Sequence, residues 1–380
     1  MASTTVQHQD DALGLLSASL RGGHVGHSYL FHGPAGVGKT RAALWLARAL
    51  LCASPAEGGG PCESCPECTA AAAFRHPDLE LLLPLPSFRT EGRTEKQADE
   101  ARSAARAGTL ERYAREPYFA PVFAKQPVHT VDDLARAKQF LSMTAQRDGG
   151  HKVLIVKGAE AMTGPAAHAF LKILEEPQPG RVLILGARQI RALLPTIASR
   201  CLHVRFRPLP EAFLARALEA RGVAKPTARL AAALSQGSLG RAIAPFEAPL
   251  DGTGGAFDEG DFAALRAAAH ELFVRPTSPA IVGPLRRGRL ERDRGRFLTA
   301  VSLAVHFYRD ALRWKILGDD VALANEDRKR DVAAVAGALP LPALSRRIRL
   351  LEEIAAAVRS NVTVAYAVAS AQYRMGLGAP

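Results

Sequence analysis

The chain has 380 residues, 48% of them apolar and 23% charged, which suits two or three domains with buried cores. Collagen, a wholly disordered chain and a small disulfide scaffold are excluded, and no stretch approaches the roughly 18 uninterrupted apolar residues of a membrane span. A formal charge of +12 favours polyanionic partners such as nucleic acid or nucleotides, with a compositional bias towards Arg and Ala as the plain alternative.

The opening segment MASTTVQHQDDALG has neither the basic start nor the apolar run of a secretory signal, which points to the cytoplasm. Ser28 to Phe31 is a short apolar strand. A helix from Thr40 puts Leu44, Ala47, Leu50 and Leu51 on one face. Gly58-Gly59-Gly60-Pro61 cannot continue it. Leu79 to Leu83 reads as a second strand. The mixed charges of residues 86–127 read as an insertion, part helix and part mobile loop. Helical spacing runs from Asp132 to Gln146, and Val153 to Val156 is a buried strand. Pro165 fits the first turn of a helix to Glu176. Arg181 to Leu185 and Leu202 to Phe206 complete the strands. Strands alternating with helices predict a parallel sheet covered on both faces. From Pro210 to about Ala244 only short helices are predicted. Residues 245–260 suit a linker, and 261–273, 297–317 and 341–375 show apolar helical faces.

Gly33-Pro34-Ala35-Gly36-Val37-Gly38-Lys39-Thr40 is G-x-x-x-x-G-K-T between a strand and a helix, the context of a P-loop. Its backbone N–H groups would cradle phosphate oxygens at a helix N-terminus. Lys39 would reach the β/γ-phosphates and the Thr40 hydroxyl would bind Mg²⁺. A working ATPase also needs an acid at the end of a buried strand to hold Mg²⁺. The strand Lys152 to Val156 is followed by Lys157 and Gly158, so that acid is missing. Glu160 lies two positions too far along, and Lys157 would oppose the metal. The chain is therefore expected to grip ATP or ADP without hydrolysing it well, with Mg²⁺ in doubt. Substitution by Glu160 is the opposing reading.

Four of the five cysteines, Cys52, Cys62, Cys65 and Cys68, form C-x9-C-x2-C-x2-C. Four thiolates can close a tetrahedral Zn²⁺ site with no open position for water, so its role would be structural. Unlinked thiols, a disulfide pair or an iron–sulfur cluster are the alternatives. Ser199-Arg200-Cys201 and Gly237-Ser238-Leu239-Gly240-Arg241 read, on composition alone, as solvated turns. Residues 275–296 hold seven arginines against two acids, a nucleic-acid or partner patch or a solvated basic loop.

In this order, HSYLFHGPAGVGKT (27–40), the four-cysteine knuckle, HPDLELL (76–82), KVLIVKGAEAMTGPAAHAFLKILEEP (152–177), LLPTIASRC (193–201) and GSLGRA (237–242) resemble the delta-prime family of bacterial DNA polymerase III clamp-loader subunits. The likeness is strong over roughly 24–245 outside the insertion and weak in the last third. It implies an α/β P-loop AAA+ module over 1–207 with an inserted zinc knuckle (52–68) and the charged insertion (about 86–127). A small helical lid over 208–250 and an all-α collar over 251–380 would follow. It further implies that Arg200 is an arginine finger reaching a neighbouring gamma/tau subunit's ATP, and that Arg241 is a lid arginine sensing nucleotide. Gly33, Gly36, Gly38, Lys39 and Thr40 would bind nucleotide, and the four cysteines zinc. The implied assembly is a hetero-pentamer with gamma/tau and delta that loads a sliding clamp on primed DNA, away from membranes. Lys157-Gly158 and Gly186-Ala187 depart from the ATP-hydrolysing members, which favours delta-prime over gamma/tau and argues against intrinsic ATPase activity. An autonomous AAA+ ATPase, a gamma/tau-like subunit and a zinc-knuckle DNA-binding regulator are the alternatives.

Overall fold

The computed structural model describes residues 6–88, 94–116, 118, 127–243, 259–274, 285, 290, 293–359 and 362–376. The chain divides into two compact units, Met1–Pro210 with Gly237–Gly255, and Glu211–Gln236 with Ala256–Pro380.

The first unit is built on five parallel strands, β1 (Ser28–His32), β2 (Leu79–Leu82), β3 (Lys152–Lys157), β4 (Arg181–Ala187) and β5 (Leu202–Arg205), in the order β2-β3-β4-β1-β5. Alternation along the strands divides the core. Leu30, Leu154, Val156, Leu183 and Leu185 face α5 (Val131–Ser142) and α6 (Gly164–Glu175) through Leu134, Ala137, Phe170 and Leu174. The intervening residues, among them Tyr29, Phe31, Val153, Ile155 and Ile184, face the other side, where α2 (Lys39–Leu51) packs. Each central strand therefore reads as a continuous apolar run, and the expected α/β P-loop module with helices on both faces is present. β5 is an edge strand, with Leu202 about half exposed and Val204 buried.

One element of this unit is an addition to the sequence reading, and the helix expected in the insertion is present. Residues Asp10–Arg21 form a helix, α1, which carries no side-chain cap. The neighbouring Gln9 is instead fixed from a distance. Its amide donates to the Arg207 and Val37 carbonyls at 2.8 and 3.3 Å and accepts from the Arg207 N–H at 3.0 Å. The insertion contains a 21-residue helix, α4 (Glu95–Arg115), started by a reciprocal capping box between Thr94 and Gln97. Arg102 pairs with Asp133 of α5, and Arg106 with Glu80 of β2, which ties α4 to the β2 side of the sheet. Two short helices, α3 (Pro66–Ala72) and α7 (Pro195–Ala198), begin with proline in the first turn.

The described secondary structure of the second unit is helical: α8 (Glu211–Glu219), α9 (Lys225–Leu234), α11 (Glu259–Phe273), α12 (Arg294–Leu317), α13 (Lys329–Ala338), α14 (Leu341–Arg359) and α15 (Val364–Met375). The first unit's α10 (Leu239–Ile243) lies between α9 and α11 in sequence. The apolar stretch 341–375 is thus two helices, and α13 is an addition to the sequence reading. α12 packs against α11, α13 and α14. Its buried Asp310 accepts from the Asn325 backbone and side-chain amides, both at 2.8 Å, and so closes the loop leading to α13. Tyr308 donates to the Phe273 carbonyl at 2.6 Å and accepts from Arg347 at 2.9 Å, joining α12 to α11 and α14. Most of the arginine-rich stretch 275–296 lies outside the described residues; Arg296, at its end, pairs with Asp261 at 2.9 Å. No helix among the described residues is long and apolar enough to cross a membrane.

Candidate functional site

The phosphate loop leaves the carboxyl end of β1, where open parallel sheets bind ligands. The Gly33 N–H bonds to the Ala187 carbonyl at 3.3 Å, anchoring the loop to β4. Gly38 caps α2 with φ +103°, which only glycine adopts without strain, and so begins the helix with its N–H groups free for an anion. Gly36 has φ +68°, and a side chain there would strike Ser238 and the Gly240 backbone nitrogen. The GSLGRA turn is therefore packed on the loop, with the Gly240 N–H donating to the Gly36 carbonyl at 3.4 Å. Arg241 follows, exposed, in α10. Lys39 Nζ folds back onto the Gly33 and Pro34 carbonyls at 2.6 and 2.5 Å.

At the end of β3 the sequence places a lysine, and the structure surrounds it. Lys157 pairs in register with Gly186 of β4, which contributes no side chain. By strand alternation Lys157 shares the α2 side of the sheet with Val153 and Ile155. Its Nζ lies 4.1 Å from the centroid of the Tyr113 ring of α4. Burial, then Lys39 and Arg188, push its pKa down to about 7. Burial also lowers Lys39 to about 8, with Glu160 raising it and Arg188 lowering it. Glu160 itself accepts from the Arg188 backbone N–H at 3.3 Å and lies 3.6 Å from the Arg188 guanidinium. At the start of α2, Tyr118 stands about 3.5 Å from where a side chain on Gly38 would begin, and the Arg41 guanidinium lies 5.1 Å from the Tyr118 ring centroid.

The four cysteines converge. All four sulfurs lie within 4.8 Å of one another, with Cys52–Cys65 at 3.8 Å and Cys62–Cys68 at 3.9 Å. Bonds of about 2.3 Å to a tetrahedral zinc give sulfur–sulfur edges of roughly 3.8 Å, whereas a disulfide needs about 2.05 Å. Backbone N–H groups of Cys62, Cys65 and Cys68 point at the sulfurs of Cys52, Cys62 and Cys65, each at 3.4 Å. Backbone hydrogen bonds from Ser64 and Cys65 lower Cys62 to about 6, while burial pushes Cys68 up to about 12. This donor set fits a zinc ion, whose charge would ionise the buried thiol. The knuckle is tied to the sheet. Glu67 meets His76 at 2.8 Å, His76 Nδ1 accepts from the Asp78 N–H at 3.0 Å, and Asp78 pairs with Lys152 of β3 at 2.8 Å.

Arg200 lies beyond α7, just before β5. Its carbonyl accepts from Ser28 at 2.6 Å, and β1 and β5 pair with Tyr29 opposite Leu202. Arg200 is thus at the amino end of the strands, while the phosphate loop is at the carboxyl end. The four steps along the chain from Tyr29 to Gly33 span about 13 Å when extended. Its guanidinium, partly exposed, bonds to the Thr196 carbonyl at 2.9 Å and to Glu175 at 3.0 Å.

A family model described as DNA polymerase III, delta subunit, matches residues 8–210, more than half of the chain. The chain belongs to the DNA polymerase III delta subunit family. Among the relatives of this family member is the DNA polymerase III subunit delta' of Pseudomonas aeruginosa, 38% identical over 50% of this chain and 48% of that one. That of Bacillus subtilis is 33% identical over 59% and 55%. The gamma/tau subunit of Mycobacterium tuberculosis is 30% identical over 57% of this chain and 31% of its own length. The chain thus spans about half the length of the delta' relatives it matches. A solved gamma subunit-related protein from Thermotoga maritima aligns over 88% of this chain and 96% of its own, at 17% identity and a TM-score of 0.31.

Within this delta subunit family member, the structure gathers the phosphate loop, Lys157 and the GSLGRA turn at one end of the sheet and sets Arg200 at the other. Tyr113, Tyr118 and Arg188 escape sequence reasoning. The tyrosines are aromatic residues in a stretch dominated by charge; the docking of α4 reveals the place of Tyr113, and the contact with Gly38 and Arg41 that of Tyr118. Arg188 had a usable signal, being the first residue after β4 and one position past the register partner of His32.

Proposed function

We propose that this chain is a delta-prime-type subunit of the DNA polymerase III clamp loader. It assembles with gamma/tau and delta subunits in a hetero-pentamer that loads a sliding clamp onto primed DNA in the cytoplasm. The observation that carries this reading is the separation within one sheet. Arg200 stands at the end away from its own phosphate loop, so it serves a phosphoryl group on a neighbouring subunit. An arginine supplied in trans stabilises the charge that builds on a transferring γ-phosphoryl.

The chain's own loop holds ATP or ADP through Gly33, Gly36, Gly38, Lys39 and Thr40, with Arg241 on the turn that packs against Gly36. It does not hydrolyse it, because β3 ends in Lys157 and Gly158 where a magnesium-binding acid is needed. In this reading residues 208–250 are the lid and 251–380 the collar. Cys52, Cys62, Cys65 and Cys68 hold a structural zinc that fixes the knuckle and, through His76 and Asp78, the β2–β3 border.

Reconstitution with candidate gamma/tau and delta partners tests the proposal. A stable complex that loads a clamp onto primed DNA only when this chain is present is the expected result. Clamp loading at full rate without it would overturn the reading.

A further inference from the structure

Three cationic side chains act on one another at the mouth of the phosphate loop: Lys39, Lys157 and Arg188. Glu160, which acts on Lys39 in the opposite sense, has one carboxylate oxygen engaged by Arg188. Lys157 ends the strand beside β4, on the α2 side of the sheet, in register with Gly186, which contributes no side chain. The Tyr113 ring lies against its ammonium, and Tyr118 stands against Gly38 and Arg41. Both rings are buried.

We propose that this loop binds a nucleoside di- or triphosphate without magnesium, with the Lys157 ammonium taking the place of the divalent cation, backed by the Tyr113 ring. The inference rests on the reading of the loop as a holder of nucleotide and deepens it. A magnesium ion beside the β-phosphate would stand near a fixed lysine, and the carboxylate nearest Lys39, Glu160, already has one oxygen on Arg188; like charges in a partly desolvated site repel strongly. The lysine removes the need for the metal. An ammonium is a compact point charge with three donors, able to meet phosphate oxygens that magnesium would otherwise bridge. Burial and then the charge of Arg188 depress Lys39, and burial, Lys39 and Arg188 depress Lys157, so the site is charge-frustrated until a polyphosphate arrives.

The test is titration of the purified, zinc-loaded full chain, stripped of nucleotide, with ADP and with ATP, in buffer freed of magnesium on a chelating resin before the protein is added, and in excess Mg²⁺. The affinities in the two media are expected to agree within roughly threefold. Lys157→Asp should weaken binding without magnesium by on the order of tenfold or more, the worth of a charged hydrogen bond, and should make binding magnesium-dependent. A variant that is merely damaged would not acquire a metal requirement. If Lys157→Asp does not fold, Lys157→Met should show the same loss without magnesium. Three results would overturn the proposal: binding by the wild type that collapses without magnesium and is lost in Glu160→Gln, unchanged affinity in both Lys157 variants, or no nucleotide binding by the folded chain. None of them touches clamp loading by the reconstituted complex, so the two readings fail separately.

Discussion

The ammonium of Lys157 lies against the ring of Tyr113, 4.1 Å from its centroid, at the strand end that faces the phosphate loop. The two residues are 44 positions apart, and α4 brings them together. The contact gives the insertion a place in the site: its helix covers the residue that stands where a hydrolysing protein needs an acid.

This position should cost stability. Lys157 falls from the usual 10.5 to about 7, through burial first and then Lys39 and Arg188. The folded value lies below the unfolded one, so between pH 7 and 10.5 the unfolded chain binds the extra proton. Stability from this position therefore rises with pH across that window, and the full penalty remains below it. Without nucleotide, Lys157→Met should melt above the wild type at pH 7, and the gap should narrow towards pH 10. A gap that stays constant with pH would assign the effect to packing.

Removing the metal should unfasten the knuckle. Metal analysis should find about one zinc per chain, the number one closed tetrahedral site holds. Cys65→Ser or strong chelation should release it and lower the melting temperature, because structural zinc supplies folding free energy directly. Full stability in a zinc-free chain would contradict the role.

Asp78 and Lys152 form a buried pair, with both side chains under 5% exposed, and the free Asp78 oxygen accepts from the Gln146 N–H at 2.9 Å. Asp78→Ala leaves a buried ammonium without its counter-charge, a change that costs about 3–5 kcal/mol. Adding Lys152→Met should recover much of that loss. Denaturant unfolding of the single and double variants measures both effects, and additive losses would deny the coupling.

How much of this was legible beforehand depended on whether the signal was local. The glycine pattern from Gly33 to Thr40 and the spacing from Cys52 to Cys68 state their chemistry within a few residues, and the structure assembles both. Lys157 was readable because β3 is a continuous apolar run whose end is unmistakable. α1 was not, because what fixes its start is Gln9 reaching Val37 and Arg207, contacts across 28 and 198 positions. α4 has few buried residues, Ala98, Thr109 and Tyr113, too sparse a stripe to show its inner face in sequence. The stretch 341–375 keeps its apolar content across the break before Thr363, so composition alone runs the two helices together.

The central claim is that the chain lends an arginine to a neighbour's nucleotide and spends none of its own. Steady-state ATP hydrolysis, measured for the isolated chain and for reconstituted complexes carrying wild-type or Arg200→Ala chain, tests it most directly. The account expects no turnover by the isolated chain, normal assembly of the variant, and a fall in the complex's turnover of up to on the order of 10³. Hydrolysis by the isolated chain that Lys39→Ala abolishes, or full turnover in the Arg200→Ala complex, would contradict it.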